Sequence, residues 1–408
     1  MATGAAILRG VVVNRVVLVT LDGLGVGALP DADRYGDAGA DTLGHLLSAC
    51  PQIRLPNLQR MGLGNLHPAG KLAPCPQPQA CFGRMAERSA GKDTTTGHWE
   101  LAGLIQNRPL PTFPHGFPPE IIAAFRRETG LVPLGNVAAS GTEILVRLGE
   151  EHLRSGRPIV YTSVDSVFQI AAHEDVIPPE RLYEICRIAR RILDPYRVGR
   201  VIARPFVGES ADNFRRTSRR HDFSLPPLAP TLLDHLVDQG LDVVGVGKIG
   251  DIFSGRGLTI SLASRDNRDG MEKILDAFSS MRQGLVFANL VDFDMLYGHR
   301  RDPVGFARAL EEFDGWLPRI KAVMGERDLL MLTADHGCDP TAPGSDHTRE
   351  YVPLLVWSPS MASGRDLGER ASFADVAATL GEIFGCQGPG AGASFLRQLA
   401  LGSQGGSN

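Results

Sequence analysis

Aspartate and histidine recur directly after apolar runs at separate places in the chain, and that recurrence is its strongest chemical signal. VVLVTLD ends in Asp22, and LVFANLVDFDMLYGH carries Asp292, Asp294 and His299. LLMLTADHG carries Asp335 and His336, and DPTAPGSDHTREYVP carries His347. Taken singly, an Asp after a strand is an ordinary turn former or helix cap, and a lone His is an ordinary hydrogen-bonded structural residue. Taken together, they put carboxylates and imidazoles beyond several strand ends, where an open parallel sheet collects its ligand sites. A carboxylate at the mouth of a buried strand is costly unless a cation neutralises it. Even with only one of Asp292 and Asp294 counted, three Asp and three His exceed the needs of one catalytic ion, and two ions ~3.5–4 Å apart form the usual clamp for displacement at phosphorus. Oxygen and nitrogen ligands without thiolate suit Mn²⁺ or Zn²⁺, and the affinity order alone does not choose between them. Cys338, close to these residues in sequence, reads as a bystander.

A second chemical candidate is GKDTTTGHWE, residues 91–100. Asp93 or a threonine is a plain helix N-cap for the pattern GHWELAGL. An alcohol becomes a nucleophile only when a base or a metal lowers its pKa. A Thr oxygen held against an ion could carry a phosphoryl group, with the first N–H groups of the helix favouring the anion.

These groups need elements to hold them. Short β-branched runs at 15–21, 158–163, 199–204, 242–247, 284–291 and 328–334 are near-continuously apolar, as strands covered on both faces are. Helical patterns alternate with them, at 179–193, 231–239 and 373–384. The alternation predicts a layered α/β fold with a mostly parallel sheet flanked by helices. The Pro-rich passages NRPLPTFPHGFPP and SLPPLAPT suit domain crossings. They divide the chain into a discontinuous core, 1–107 with 227–408, and an inserted smaller α/β domain, 108–226. The terminal GSQGGSN reads as disordered.

With 408 residues, 43% hydrophobic and 22% charged, the composition is that of a soluble globular protein. A net charge of −4 supplies no global field for nucleic acid or membrane. The basic stretch RRTSRRHD (215–222) is either a solvated loop or a contact for an anionic substrate. Six cysteines without CxxC spacing fit a reducing cytosol. Asn14 and Arg15 interrupt the apolar N-terminal run, so it reads as a core strand and not a signal peptide. A cytoplasmic location is expected.

The ordered set TLDGLGVGALPDA, GKDTTTGHWE, ASGTEIL, YTSVDSVFQIAAHE, GRVIARPF, NLVDFDMLYGHRRDP and TADHGCDP…GSDHTREYVPLL resembles the phosphopentomutase family of the alkaline phosphatase superfamily, from about residue 15 to about 397. The resemblance implies an alkaline-phosphatase-like core with the insertion as a cap. It implies two ions, usually Mn²⁺, one held by Asp294, His299 and His347 and the other by Asp22, Asp335, His336 and a nucleophilic threonine. The family motif puts that threonine directly after Lys-Asp, at Thr94, and prefers Asp294 to Asp292. Ser163, Asp165 and Val167 correspond to its ribose-contacting stretch, with Arg200, Arg216 and Lys248 as phosphate contacts. The implied reaction interconverts ribose 1-phosphate and ribose 5-phosphate, and their 2-deoxy analogues. It runs through a phosphothreonine and a 1,5-bisphosphate, primed by a sugar bisphosphate such as glucose 1,6-bisphosphate. The alternative is a phosphatase or phosphodiesterase of the same superfamily.

Overall fold

The computed structural model describes residues 13–66, 72–163, 166–399 and 401; Asp165 and the stretch GSQGGSN lie outside them. The chain forms two compact units, Met1–Arg108 with Pro227–Asn408, and Pro109–Pro226. It enters through β1 (Arg15–Leu21) and β2 (Cys81–Met85). The second unit supplies β3 (Leu134–Ala138), β4 (Ile159–Thr162), β5 (Val167–His173), β6 (Arg200–Val207), β7 (Arg215–Arg216) and β8 (His221–Ser224). The first unit resumes with β9 (Asp242–Val246), β10 (Ile260–Leu262), β11 (Gly284–Leu290), β12 (Asp328–Thr333), β13 (Val352–Trp357) and β14 (Asp366–Arg370).

The first unit is built on one eight-stranded sheet, ordered β10-β9-β11-β1-β12-β13-β2-β14. All neighbours run parallel except β13, which is antiparallel to both β12 and β2. Its centre is dry: β11 and β12 are buried at every position and β1 at every position but Arg15. Four of the apolar runs seen in the sequence are β1, β9, β11 and β12 of this sheet, and the other two are β4 and β6 of the second unit. β13 was not among the expected strands, because Pro353 has no N–H for a ladder. An antiparallel strand offers each N–H to one side only, so a single proline forfeits a single bond. β2 and β14 also went unread, both being five residues long and β14 carrying three charged residues.

Register matters more than order. Leu21 of β1 lies beside Leu290 of β11, and Thr20 lies beside Thr333 of β12. The C-terminal ends of the three central strands are therefore level, and whatever follows them emerges on one edge. β13 runs back from that edge, pairing Leu332 with Leu355, so the residues just before it belong there too.

The second unit has its own sheet, β3-β4-β5-β6-β7, with β8 also paired to β6. Helices Pro119–Thr129 and Pro179–Leu193 pack one cluster around Phe125, Phe168, Leu182 and Val201, and a smaller cluster holds Ile144, Tyr161 and Phe206. Among the described residues, no helix is long and apolar enough to cross a membrane.

Candidate dinuclear metal centre

Asp22 directly follows β1, and Asp335 and His336 follow β12, so register alone brings them together. His336 Nε2 lies 3.4 Å from Asp22 Oδ1 and 3.3 Å from Asp335 Oδ2. His347 is brought in by a bridge between Gly337 and Thr348, whose amides exchange bonds of 3.1 and 2.7 Å. The His336 and His347 rings consequently stack with centroids 3.8 Å apart.

Asp294 and His299 need a different device. Five residues along an α-helix leave two side chains about 140° apart around the axis. Here Phe293–Gly298 is a π-helical turn, and the His299 amide donates to the Asp294 carbonyl at 3.0 Å. The wider turn puts residues five apart on nearly one face. His299 Nε2 thus lies 3.2 Å from Asp294 Oδ2 and 3.2 Å from His347 Nε2, while His347 Nε2 lies 3.5 Å from Asp294 Oδ1. Asp292 faces elsewhere and accepts from the Asn267 amide at 2.7 Å.

Thr94 is the first residue of helix Thr94–Leu101. Asp93 caps that helix, accepting from the Thr96 amide at 3.1 Å and the Thr96 hydroxyl at 2.6 Å. Asp93 thus takes the cap, and Thr94 Oγ1 lies 3.0 Å from His336 Nε2. Gly97 explains the close approach: a Cβ there would sit 2.0 Å from the Asp335 carbonyl oxygen. Any side chain at that position would lift the helix off the strand end.

The arrangement fits a pair of cations. Asp22 Oδ1, Asp294 Oδ1 and Asp335 Oδ2 are buried without a hydrogen-bond partner, a costly state for carboxylates. Each of these oxygens faces an imidazole nitrogen at 3.3 to 3.5 Å. Ligands roughly 2.1 Å from a tetrahedral ion stand about 3.4 Å from one another. The charge distribution says the same. Burial, then the Asp335 carboxylate, push Asp22 well above the usual carboxylate range. Burial also opposes ionisation of Asp335 and Asp294, but His336 holds the first below its ordinary value and His347 the second. Burial lowers His336 to about 4, leaving a neutral ring with a lone pair to give. Burial works against charge on His347 as well, yet Asp294 raises it to about 9. A proton on His347 therefore does part of the work that a cation would do.

The Metalloenzyme superfamily model matches residues 14–387. The chain is 59% identical over 386 residues to the phosphopentomutase of Syntrophotalea carbinolica, covering 95% of this chain and 98% of that one. It is 57% identical over 389 residues to the phosphopentomutase of Caldanaerobacter subterraneus subsp. tengcongensis, with 95% and 98% covered. The chain belongs to the phosphopentomutase family. Among solved structures, a phosphoglycerate mutase from Leishmania mexicana superposes with a TM-score of 0.47 at 14% identity, over 97% of this chain and all of that one.

The remaining family positions fall in two places. Lys248 joins the metal edge, its Nζ 3.7 Å from Asp22 Oδ2. In the second unit, Ser163 follows β4, and Val167 and Arg200 are register partners at the start of β5 and β6. Arg216 pairs with Phe206 at the far end of β6. The basic stretch is mixed in character: Arg220 holds Asp222 through two bonds of 2.6 Å and Arg219 holds Glu174, while Arg215 and Arg216 are exposed. Cys338 lies within 4.8 Å of the ligand atoms of Asp294 and His299, but burial drives its thiol far up and holds it neutral.

Sequence reading missed the shell behind the ligands. His98, fully buried, donates from Nδ1 to the Thr94 carbonyl at 2.8 Å and has that same nitrogen 3.2 Å from Asp335 Oδ2. Its Nε2 lies 3.0 Å from Thr20 Oγ1. Asn289 donates to Asp22 Oδ2 at 3.1 Å. One signal was available: His98 stands four residues after Thr94, on the same helix face.

Proposed function

We propose that the chain interconverts α-D-ribose 1-phosphate and D-ribose 5-phosphate, and their 2-deoxy analogues, with Thr94 as the residue that carries the phosphoryl group. The observation that supports this most directly is the Thr94 hydroxyl, 3.0 Å from His336 Nε2 within the ligand cluster. Family membership makes the protein an isomerase that moves phosphate within a sugar, and a mutase of this type needs an alcohol that can be phosphorylated and emptied.

Asp294, His299 and His347 would hold one ion and Asp22, Asp335 and His336 the other, with Thr94 at the second; two Mn²⁺ are the proposed occupants. When bound, such ions neutralise oxygens of the transferring group and acidify the attacking alcohol. The chain's own residues do the rest. Asp93 takes the Thr96 amide, leaving the Thr94 and Thr95 amides of the first turn free of intrahelical partners and turned to an anion. Phosphothreonine at Thr94 meets the free hydroxyl of a pentose monophosphate. The new P–O bond to the sugar forms as the P–Oγ bond breaks, the sugar hydroxyl gives up its proton and Thr94 regains one. The resulting 1,5-bisphosphate presents its other phosphate to Thr94, and the reverse exchange releases the isomer. Lys248 meets a phosphate beside Asp22. Ser163, Asp165, Val167 and Arg200 of the insertion hold the ribose and exclude water that would hydrolyse the phosphoenzyme; Arg216, at the opposite end of β6 from Arg200, stands outside that group. Glucose 1,6-bisphosphate primes Thr94, and the free cysteines suit a cytoplasmic setting.

The test is to incubate the manganese-loaded protein with glucose 1,6-bisphosphate and map the phosphopeptide by mass spectrometry. Label on Thr94, with ribose 5-phosphate formed from ribose 1-phosphate, is expected. Label on another residue, or release of inorganic phosphate in place of isomer, overturns the assignment.

A further inference from the structure

Thr94 is placed by a segment that belongs to no sheet. β2 ends at Met85, the helix begins at Thr94, and the residues between form neither strand nor helix. Such a stretch leaves its backbone polar groups to be satisfied by something else. Carbonyls two residues apart in extended chain face the same side, and here those of Glu87, Ser89 and Gly91 converge on one guanidinium. Arg349 Nη2 donates to the Glu87 carbonyl at 2.9 Å, and Nη1 donates to the carbonyls of Ser89 and Gly91 at 2.8 and 2.6 Å. The same side chain holds Glu87 Oε2 at 2.8 Å and both carboxylate oxygens of Asp31 at 3.2 Å. It lies over the Tyr35 ring and is 3% exposed.

Arg349 stands two residues past His347, beyond the Gly337–Thr348 bridge that locates His347. Its own amide donates to Asp37, which also pairs with Lys92 at 3.0 Å. From the other side Glu100 takes the amides of Arg88 and Ser89 at 2.9 and 2.6 Å. The backbone of Ser89 is thus held both at its N–H and at its C=O. One side chain, rooted beside a ligand of one ion, fixes the lead-in to the hydroxyl at the other.

We infer that Arg349 is a positioning residue of the mutase reaction: its guanidinium stands in for a missing partner strand and sets Thr94 at its working distance from His336. This rests on the reading of Thr94 as the phosphoryl carrier. Five N–H donors in a rigid fork are all engaged, and Lys, a single ammonium with three donors, cannot reproduce them. Displacement of a reacting group by about 1 Å costs on the order of 10²-fold in rate.

The experiment compares the manganese-loaded protein with Arg349→Lys and Asp31→Asn, following kcat, KM for ribose 5-phosphate, Mn²⁺ binding, thermal unfolding and the rate at which glucose 1,6-bisphosphate labels Thr94. In Arg349→Lys, kcat and the labelling rate should fall on the order of 10²-fold, with KM and Mn²⁺ affinity within about threefold of the unaltered protein. Asp31→Asn loosens the fork from its half-exposed side without endangering the fold. It should lower kcat several-fold with unfolding temperature and KM unchanged, and it decides the matter if Arg349→Lys fails to fold. Normal labelling of Thr94 in Arg349→Lys, or loss of rate only in proportion to lost Mn²⁺ binding, overturns the inference and leaves Thr94 in place. An unaltered protein labelled elsewhere than Thr94 overturns the reading beneath it as well.

Discussion

The two halves of the candidate metal cluster are built differently. Asp22, Asp335 and His336 are fully buried and sit on the level ends of β1 and β12. Asp294, His299 and His347 depend on a π-turn and a two-residue bridge, and the His299 side chain is 38% exposed. The deep half is set by ladder register, which cannot shift by one residue without turning every side chain over. The shallow half is set by irregular backbone, which can relax. The deep half should therefore be unforgiving and the shallow half adjustable.

Thr94→Ala should produce the largest effect, on the order of 10⁴-fold or more in kcat, with Mn²⁺ binding kept. A coupled assay for ribose 5-phosphate beside a metal titration reads both. Asp335→Asn should come next, losing the deep ion and with it at least about 10³-fold in kcat; recovery in millimolar Mn²⁺ would mean the deep half is no more rigid than the shallow one. His98→Ala removes the ring behind Asp335 and should cost about 10- to 100-fold in metal affinity or activity. His299→Asn should cost about tenfold in apparent Mn²⁺ affinity, and excess metal should restore most of the rate. Failure of that rescue would erase the distinction between the halves.

Two smaller effects follow from protons. His347, raised to about 9, must release its proton to bind metal, so the affinity of the shallow ion should climb with pH by about tenfold per unit below that value. His336, already neutral at about 4, should add no such slope. Calorimetric Mn²⁺ titration between pH 6 and 9 checks the sign. Glu350 is buried beneath the same edge and, chiefly through burial, raised to about 7, with Thr42 and Thr348 hydroxyls donating to it at 2.7 and 2.6 Å. A raised folded value means that its contribution is full below the unfolded value and fades as pH rises through about 7. Relative to Glu350→Gln, the unaltered chain should lose thermal stability between about pH 4.5 and 7.

The deep half was legible because its rule is local. An apolar run ending in Asp, or in Asp-His, names a buried strand and the groups at its mouth, and parallel strands with level ends do the rest. Asp292, Asp294, His299 and His347 were read from the same pattern, but only family resemblance chose Asp294 and grouped it with the two histidines, since α-helical periodicity separates Asp294 from His299 and an i→i+5 turn reunites them. Whether Asp93 or a threonine caps the helix was open for a related reason, and the structure gives the cap to Asp93. Cap and nucleophile compete for the same residue types, and their roles differ only in what lies opposite.

By itself the sequence determined the central buried strands β1, β11 and β12 and that carboxylates and imidazoles follow them, through hydrophobic periodicity and through residue types whose cost of burial demands a partner. The reaction family came from the resemblance of long motifs such as GKDTTTGHWE and NLVDFDMLYGHRRDP, not from periodicity. Tertiary structure alone decided the π-turn, the resting of Gly97 on Asp335, the shell of His98 and Asn289, and the grip of Arg349 on three distant carbonyls. Each of those depends on groups remote in the chain arriving at hydrogen-bond distance, and no local spacing encodes a distance across the fold.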